Sequence, residues 1–180
     1  MGCCAQLLVM IAVTAFLGSG ALAAPAVAGA APAQGHQVTV PFTGSSTFDL
    51  STPACSFAHQ VYDASLGATA GGATLHLDGC VSLTIPFIFS GTFVITTAHL
   101  GQLTGTVTGP VGDASPTLCA ADLSSSSLDF ALTPTGATGA FHRTNGSVHL
   151  TGLWCSPAVP DVPGAISGTL TGPLPAPLAH

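Results

Sequence analysis

Between Leu75 and Thr108 the chain reads LHLDGCVSLTIPFIFSGTFVITTAHLGQLTGTVT. Leu75, Leu77, Val81, Leu83, Ile85, Phe87, Phe89, Phe93, Ile95, Leu103 and Val107 all fall on odd positions, and Ser82, Thr84, Ser90, Thr92, Thr96, Gln102, Thr104, Thr106 and Thr108 on even ones. A period of two marks strands whose alternate side chains enter a core and meet water. Asp78-Gly79, Pro86 and the segment from Ala98 to Gly101 interrupt the pattern. It therefore predicts strands near 73–78, 80–89, 90–98 and 102–108, the last two forming a hairpin.

Beyond Gly109-Pro110 and the turn-rich stretch to Pro116, the apolar parity becomes even, at Leu128, Phe130, Leu132, Val148, Leu150, Trp154, Ile166 and Leu170. A loop of odd length produces such a switch within one domain, because a one-residue offset turns every side chain to the other face. Strands follow near 125–133, 146–154 and 165–171, and Val38, Val40 and Phe42 begin one at the front. Ser51 to Gly72 is the least periodic segment and reads as a long loop held by Cys55. Leu103-Thr104-Gly105-Thr106-Val107-Thr108-Gly109-Pro110 recurs as Ile166-Ser167-Gly168-Thr169-Leu170-Thr171-Gly172-Pro173, with a partial copy at Leu150-Thr151-Gly152-Leu153-Trp154. Glycine repeated on the apolar parity predicts sheet coiling or close backbone approach. No window of about 12 residues outside the N-terminus carries a capped helical period. The class is all-β: an antiparallel barrel of about eight strands, with a β-sandwich as the alternative.

Leu7 to Leu17 is an unbroken apolar run, followed by Gly18-Ser19-Gly20 and the A-x-A site Ala21-Leu22-Ala23. This pattern predicts a signal peptide over 1–23, an Ala/Pro-rich linker over 24–36 and one barrel domain over 37–180. The segment before the run lacks Lys and Arg, so an uncleaved membrane anchor is the competing reading. Cys3 and Cys4 precede the run, and Gln6 breaks the myristoylation pattern, so neither supports a lipid anchor. A secreted chain without its leader keeps four cysteines, Cys55, Cys80, Cys119 and Cys155, which two disulfides would consume. Of the three connectivities, Cys55 with Cys80 and Cys119 with Cys155 closes the shortest loops. A four-thiolate zinc site would want a C-x-x-C pair, and none is present. The expected product is a secreted monomer with no stable membrane insertion after signal cleavage.

The chain has 180 residues, seven Asp, no Glu, no Lys and one Arg, Arg143, for a formal charge of -6. Nucleic acid is not an expected partner, because neutralising phosphates takes several cations. At 47% hydrophobic residues the body of the chain has ample apolar surface to fold.

Gly136-Ala137-Thr138-Gly139-Ala140-Phe141, followed by Asn145-Gly146, resembles the G-G-T-G-x-F turn and hairpin of the allene oxide cyclase and dirigent barrels. The chain is also similar to small exported bacterial β-barrel proteins that share their G-T-[LF]-T-[IG] strands. The resemblance spans residues 89–172. It implies an eight-stranded antiparallel barrel and, as in the plant proteins, a small apolar ligand bound in the barrel mouth. Ala137 replaces the second glycine, and no Glu supplies the acidic role the cyclases use.

Candidate chemistry is sparse. His76 and Asp78 share a strand face, and His99, His142 and His149 could join them around zinc or copper, yet no second tight pair accompanies them. Solvated histidines are the simpler reading, and neither a metal nor a cofactor is expected. There is no G-x-S-x-G elbow, and Ser124 to Ser127 lead a strand with no base fixed beside them. Asp129 alternates with Leu128 and Phe130 and is expected to face water. Asn145-Gly146-Ser147 is a glycosylation sequon, but Asn-Gly is equally the preferred type I′ turn pair. Gly105 shares the parity of Leu103 and Val107, so its missing side chain would leave internal space. With Phe87 and Phe93 on the same parity, and Arg143 to hold a ligand carboxylate, it makes the candidate ligand site. The expected function is noncatalytic binding of a small apolar ligand, or a structural role at the cell surface. The alternative is a cyclase-like or isomerase-like enzyme working in an apolar cavity, disfavoured by the lack of an acid-base pair.

Overall fold

The structure is a computed structural model that describes residues 37–67, 72–120, 123–157 and 162–179. The expected signal peptide and linker lie outside the described residues. Eight strands follow in order: β1 (Val38–Asp49), β2 (Ala58–Leu66), β3 (Ala73–Val81), β4 (Phe87–Thr97), β5 (Gly101–Asp113), β6 (Leu123–Ala137), β7 (Val148–Pro157) and β8 (Gly164–Gly172). Each pairs antiparallel with the next, and β8 returns to β1, closing the barrel. Closure leaves no sheet edge, which a sandwich would have kept.

Period two works as the sequence requires. Odd positions of β3 to β5 and even positions of β6 to β8 fill the interior, among them Leu75, Phe89, Phe93, Phe130, Leu150 and Leu170, all at most 1% exposed. The two parities meet across the β5–β6 pair, where Val107 faces Leu132 and Val111 faces Leu128. Outward positions carry hydroxyls that bond across strands, as in Ser90–Thr108 and Thr151–Thr169, both 3.2 Å.

Two expectations are corrected. The segment read as a loop from Ser51 to Gly72 contains β2, whose inward residues are Ala58, Gln60, Tyr62, Ala64 and Leu66. Two alanines and a glutamine on the inner face hide the alternation. Asp78-Gly79 does not interrupt a strand, since β3 continues to Val81. The break falls instead at residues 82–86, where Ser82 Oγ accepts from the Ile88 N–H at 2.9 Å and closes the connection. Leu83 and Ile85 belong to this connection and are 62% and 85% exposed, so their parity does not place them inside.

The repeated glycines sit beneath aromatic rings. A Cβ on Gly105 would come within 2.6 Å of the Phe93 ring, and one on Gly152 or Gly168 within 2.9 or 2.8 Å of the Phe42 ring. The nearest atoms to all three are backbone of the adjacent strand, so these glycines allow close backbone approach and leave no open interior space.

The two ends of the barrel differ. One is stoppered by the connection from β6 to β7, whose 3₁₀ turn Gly139–Arg143 inserts Phe141 at 0% exposure, and by Leu174 and Leu178 from the C-terminal segment. The other end gathers the connections β1–β2, β3–β4, β5–β6 and β7–β8 and both disulfides. Cys55 in the first connection bonds Cys80 on β3, and Cys119 in the third bonds Cys155 on β7, with Cα separations of 5.3 and 5.6 Å. The pairing is the one with the shortest loops. Two such bonds are stable in an oxidising compartment and not in a reducing cytosol. Among the described residues no helix is long and apolar enough to cross a membrane.

Candidate ligand cavity at the barrel mouth

Packing fills the barrel from the stoppered end to the level of Tyr62, Phe89 and Phe130, whose rings meet at centroid distances of 5.1 to 5.9 Å. Above them lies a cavity of about 270 Å³, lined by Phe48, Phe57, Ala58, Gln60, Val81, Phe87, Val111, Gly112, Asp113, Ser126 and Trp154. This lies at the small end of ligand pockets, which run from about 300 to 1,000 Å³. Its walls are aromatic and ordered by mutual contact: Phe57 stacks on Phe87 at 6.1 Å, and Phe48 meets Trp154 edge-on at 6.4 Å.

Beneath the walls lies an unusual concentration of polar atoms. Ser46 Oγ, Gln60 Nε2, Tyr62 OH and Trp154 Nε1 are buried without a hydrogen-bond partner in the protein. Ser46 is 2%, Gln60 1% and Tyr62 1% exposed. The sheet brings them together: Ser46 pairs with Tyr62 on β2 and with Gly164 on β8, and Trp154 precedes the Cys155–Ala165 pair. Gly164 makes room for them, because a Cβ there would stand 2.5 Å from Trp154 Nε1 and 3.0 Å from Ser46 Oγ. Burial pushes the Tyr62 phenol well above its ordinary range, which keeps it a neutral hydroxyl.

Around the opening stand Leu50, Phe57, Leu83, Ile85, Phe87, Leu118 and Val162, the large apolar side chains that the described residues leave exposed. Every one belongs to this end of the barrel. The rim also holds Asp49, whose carboxylate accepts from the Ser51 N–H and hydroxyl at 2.6 Å and from the Thr52 hydroxyl at 2.7 Å. Those bonds, the Ser51 hydroxyl first, hold its pKa at about 2.

The four residues expected to bind ligand do not converge. Phe87 lines the cavity. Phe93 is 1% exposed in the filled interior, and the space expected at Gly105 is taken by its ring and by the backbone at Thr133 and Pro134. Arg143 lies at the stoppered end beside Thr144, Pro173 and Pro175. Nor does Asn145-Gly146 form a two-residue hairpin turn, since β6 and β7 are joined through the 3₁₀ turn and only then by Gly146 with φ 105°. The backbone there must deliver Phe141 into the barrel, and a tight turn could not.

Three histidine–aspartate pairs decorate the outside. His76 Nδ1 meets Asp63 at 2.7 Å, His59 Nε2 meets Asp78 at 3.1 Å, and His149 Nε2 meets Asp129 at 2.7 Å. His76 and Asp78 therefore turn to different partners instead of sharing one site. Asp129 faces outward, as its alternation requires. Sequence reasoning missed Ser46, Gln60, Tyr62 and Trp154, although a glutamine in phase with Ala58, Tyr62, Ala64 and Leu66 was a legible signal. Compared with protein-family models, curated proteins and solved structures, the chain has no match in any of the three.

Proposed function

We propose that the chain is an exported, noncatalytic barrel that binds a small apolar molecule in its mouth. The observation that carries this reading is an aromatic-lined cavity of about 270 Å³ at one end of the barrel, above a buried core that includes Phe89 and Phe130. The resemblance to the allene oxide cyclase and dirigent barrels supports the same location. Among the described residues the one titratable side chain that lines the cavity is Asp113, which favours binding over proton-transfer chemistry. Two disulfides and the apolar run ending at Ala21-Leu22-Ala23 support export.

The test is a toluene titration of the secreted protein, followed through Trp154, the chain's one tryptophan, and through the methyl resonances of Val81 and Val111. Saturable shifts confined to these residues are expected. Toluene that shifts nothing, or a mature chain whose N-terminus retains residues 7–17, would refute the binding or the export half respectively.

A further inference from the structure

The outside of the barrel changes character along its axis. Its wall is polar: serine and threonine hydroxyls bond across strands, and three histidine–aspartate pairs lie among them. At the mouth each of the four connections presents a large apolar side chain to solvent, Leu50 and Phe57 from the first, Leu83 and Ile85 from the second, Leu118 from the third and Val162 from the fourth. Ile85 is 85% exposed, so the chain packs almost nothing on it. Among the described residues the stoppered end has no exposed large apolar side chain. Apolar side chains gathered at one place on a surface in this way mark where something covers them.

Relief and charge decide what the cover is. Side chains that project from four separate connections around an opening offer a protein partner no continuous face, whereas a fluid lipid surface takes up projections of any relief. A second copy placed mouth to mouth would bring Asp49 and Asp113 of one chain towards those of the other. Asp49 stays ionised, because Ser51 and Thr52 donate hydrogen bonds to its carboxylate. The same carboxylates repel anionic headgroups, and Arg143, the chain's single Lys or Arg, sits at the opposite end. The surface that fits is therefore lipid without net negative charge. Phe57 and Phe87 stand at the rim and also line the cavity, so the apolar face continues into it.

We propose that the barrel docks mouth-down on a lipid surface of no net negative charge, seating the apolar side chains of its four mouth connections in the interface without crossing the bilayer. Docking goes beyond the binding reading and does not require the cavity to hold a ligand. The test is flotation of the secreted protein with phosphatidylcholine vesicles. The protein is expected to float with them, and replacing part of the lipid by phosphatidylserine should weaken binding severalfold at low ionic strength. In the double variant Leu83→Ser, Ile85→Ser, both side chains lie in water in the free protein, so the melting temperature should hold while partitioning falls about tenfold or more. Brominated acyl chains should quench a tryptophan introduced by Ile85→Trp more than one introduced by Thr106→Trp, in the middle of the wall. No flotation with phosphatidylcholine, while toluene still shifts Val81 and Val111, would overturn docking and leave the cavity reading standing. Flotation undiminished in the double variant, or equal quenching at positions 85 and 106, would overturn the mouth as the docking face. Tighter binding to phosphatidylserine would overturn the choice of lipid. A dimer that the double variant abolishes, with no flotation, would overturn the proposal in favour of a second copy as the cover.

Discussion

The stoppered end and the mouth of this barrel are built from the same strands but held by different forces. At the stoppered end, Phe141, Leu174 and Leu178 are folded in as side chains, and stability comes from burying them. At the mouth, apolar residues of the connections face solvent, and two disulfides tie connections to strands. Packing cannot serve there without filling the cavity. A disulfide fixes a loop at its base while leaving the space above the core open, so the chain uses cross-links where it cannot use core.

The sharpest way to break this comparison is to remove the stopper. Phe141→Ala deletes a fully buried ring and should lower the unfolding free energy by about 3–5 kcal/mol, read from the denaturant midpoint. The shape of the Trp154 emission should not change, because the indole lies at the far end. A loss below about 1 kcal/mol would mean that this end is not held by packing.

Next in size is the mouth's cross-link. Replacing Cys119 and Cys155 together by Ala should cost about 3 kcal/mol through the freedom restored to the unfolded chain. Hydrogen exchange should quicken most at the start of β6 and the end of β7, with the strands beside Phe141 protected as before. Uniform loss of protection would show that the two ends are not independent.

Gly105→Leu probes the filled middle between them. The new side chain would strike Phe93 and the Thr133 backbone, so a loss of about 1–3 kcal/mol or more is expected from overpacking. An unchanged or raised melting temperature would reveal interior space below the mouth cavity.

The smallest effects are those of pH. Asp49 has a folded pKa of about 2 against an ordinary 3.8, so its contribution is present above about pH 3.8 and lost as pH falls towards 2. Asp49→Asn should flatten that part of the acid limb of the stability curve by lowering the neutral plateau towards the acid value. Tyr62 shifts the other way: its folded pKa is raised above the ordinary value of about 10, so its contribution is present below pH 10 and lost as pH rises beyond it. As the chain's single tyrosine it should develop tyrosinate absorbance only with unfolding, and a smooth titration of the folded protein near pH 10 would contradict its burial.

Alternation from Leu75 to Val107, the parity switch before Leu128, and four cysteines closing short loops determined most of the architecture without any coordinates, because strand faces and disulfide loops are local properties of the chain. What the sequence left hidden was β2, whose inward alanines and glutamine erase the alternation, and the true end of β3. The site was hidden with them. Ser46, Gln60, Tyr62 and Trp154 come from β1, β2 and β7, and nothing along the chain links them. Only closure of β8 onto β1 brings Ser46, Gly164 and Trp154 together in the barrel wall. Conversely, Gly105 looked like empty space because a missing side chain can be read in a sequence, whereas the Phe93 ring that covers it belongs to the neighbouring strand and is placed by register. Periodicity along a strand is written in the order of residues. Which groups face one another across a barrel, and which of them lack a partner, is decided by strand register and closure.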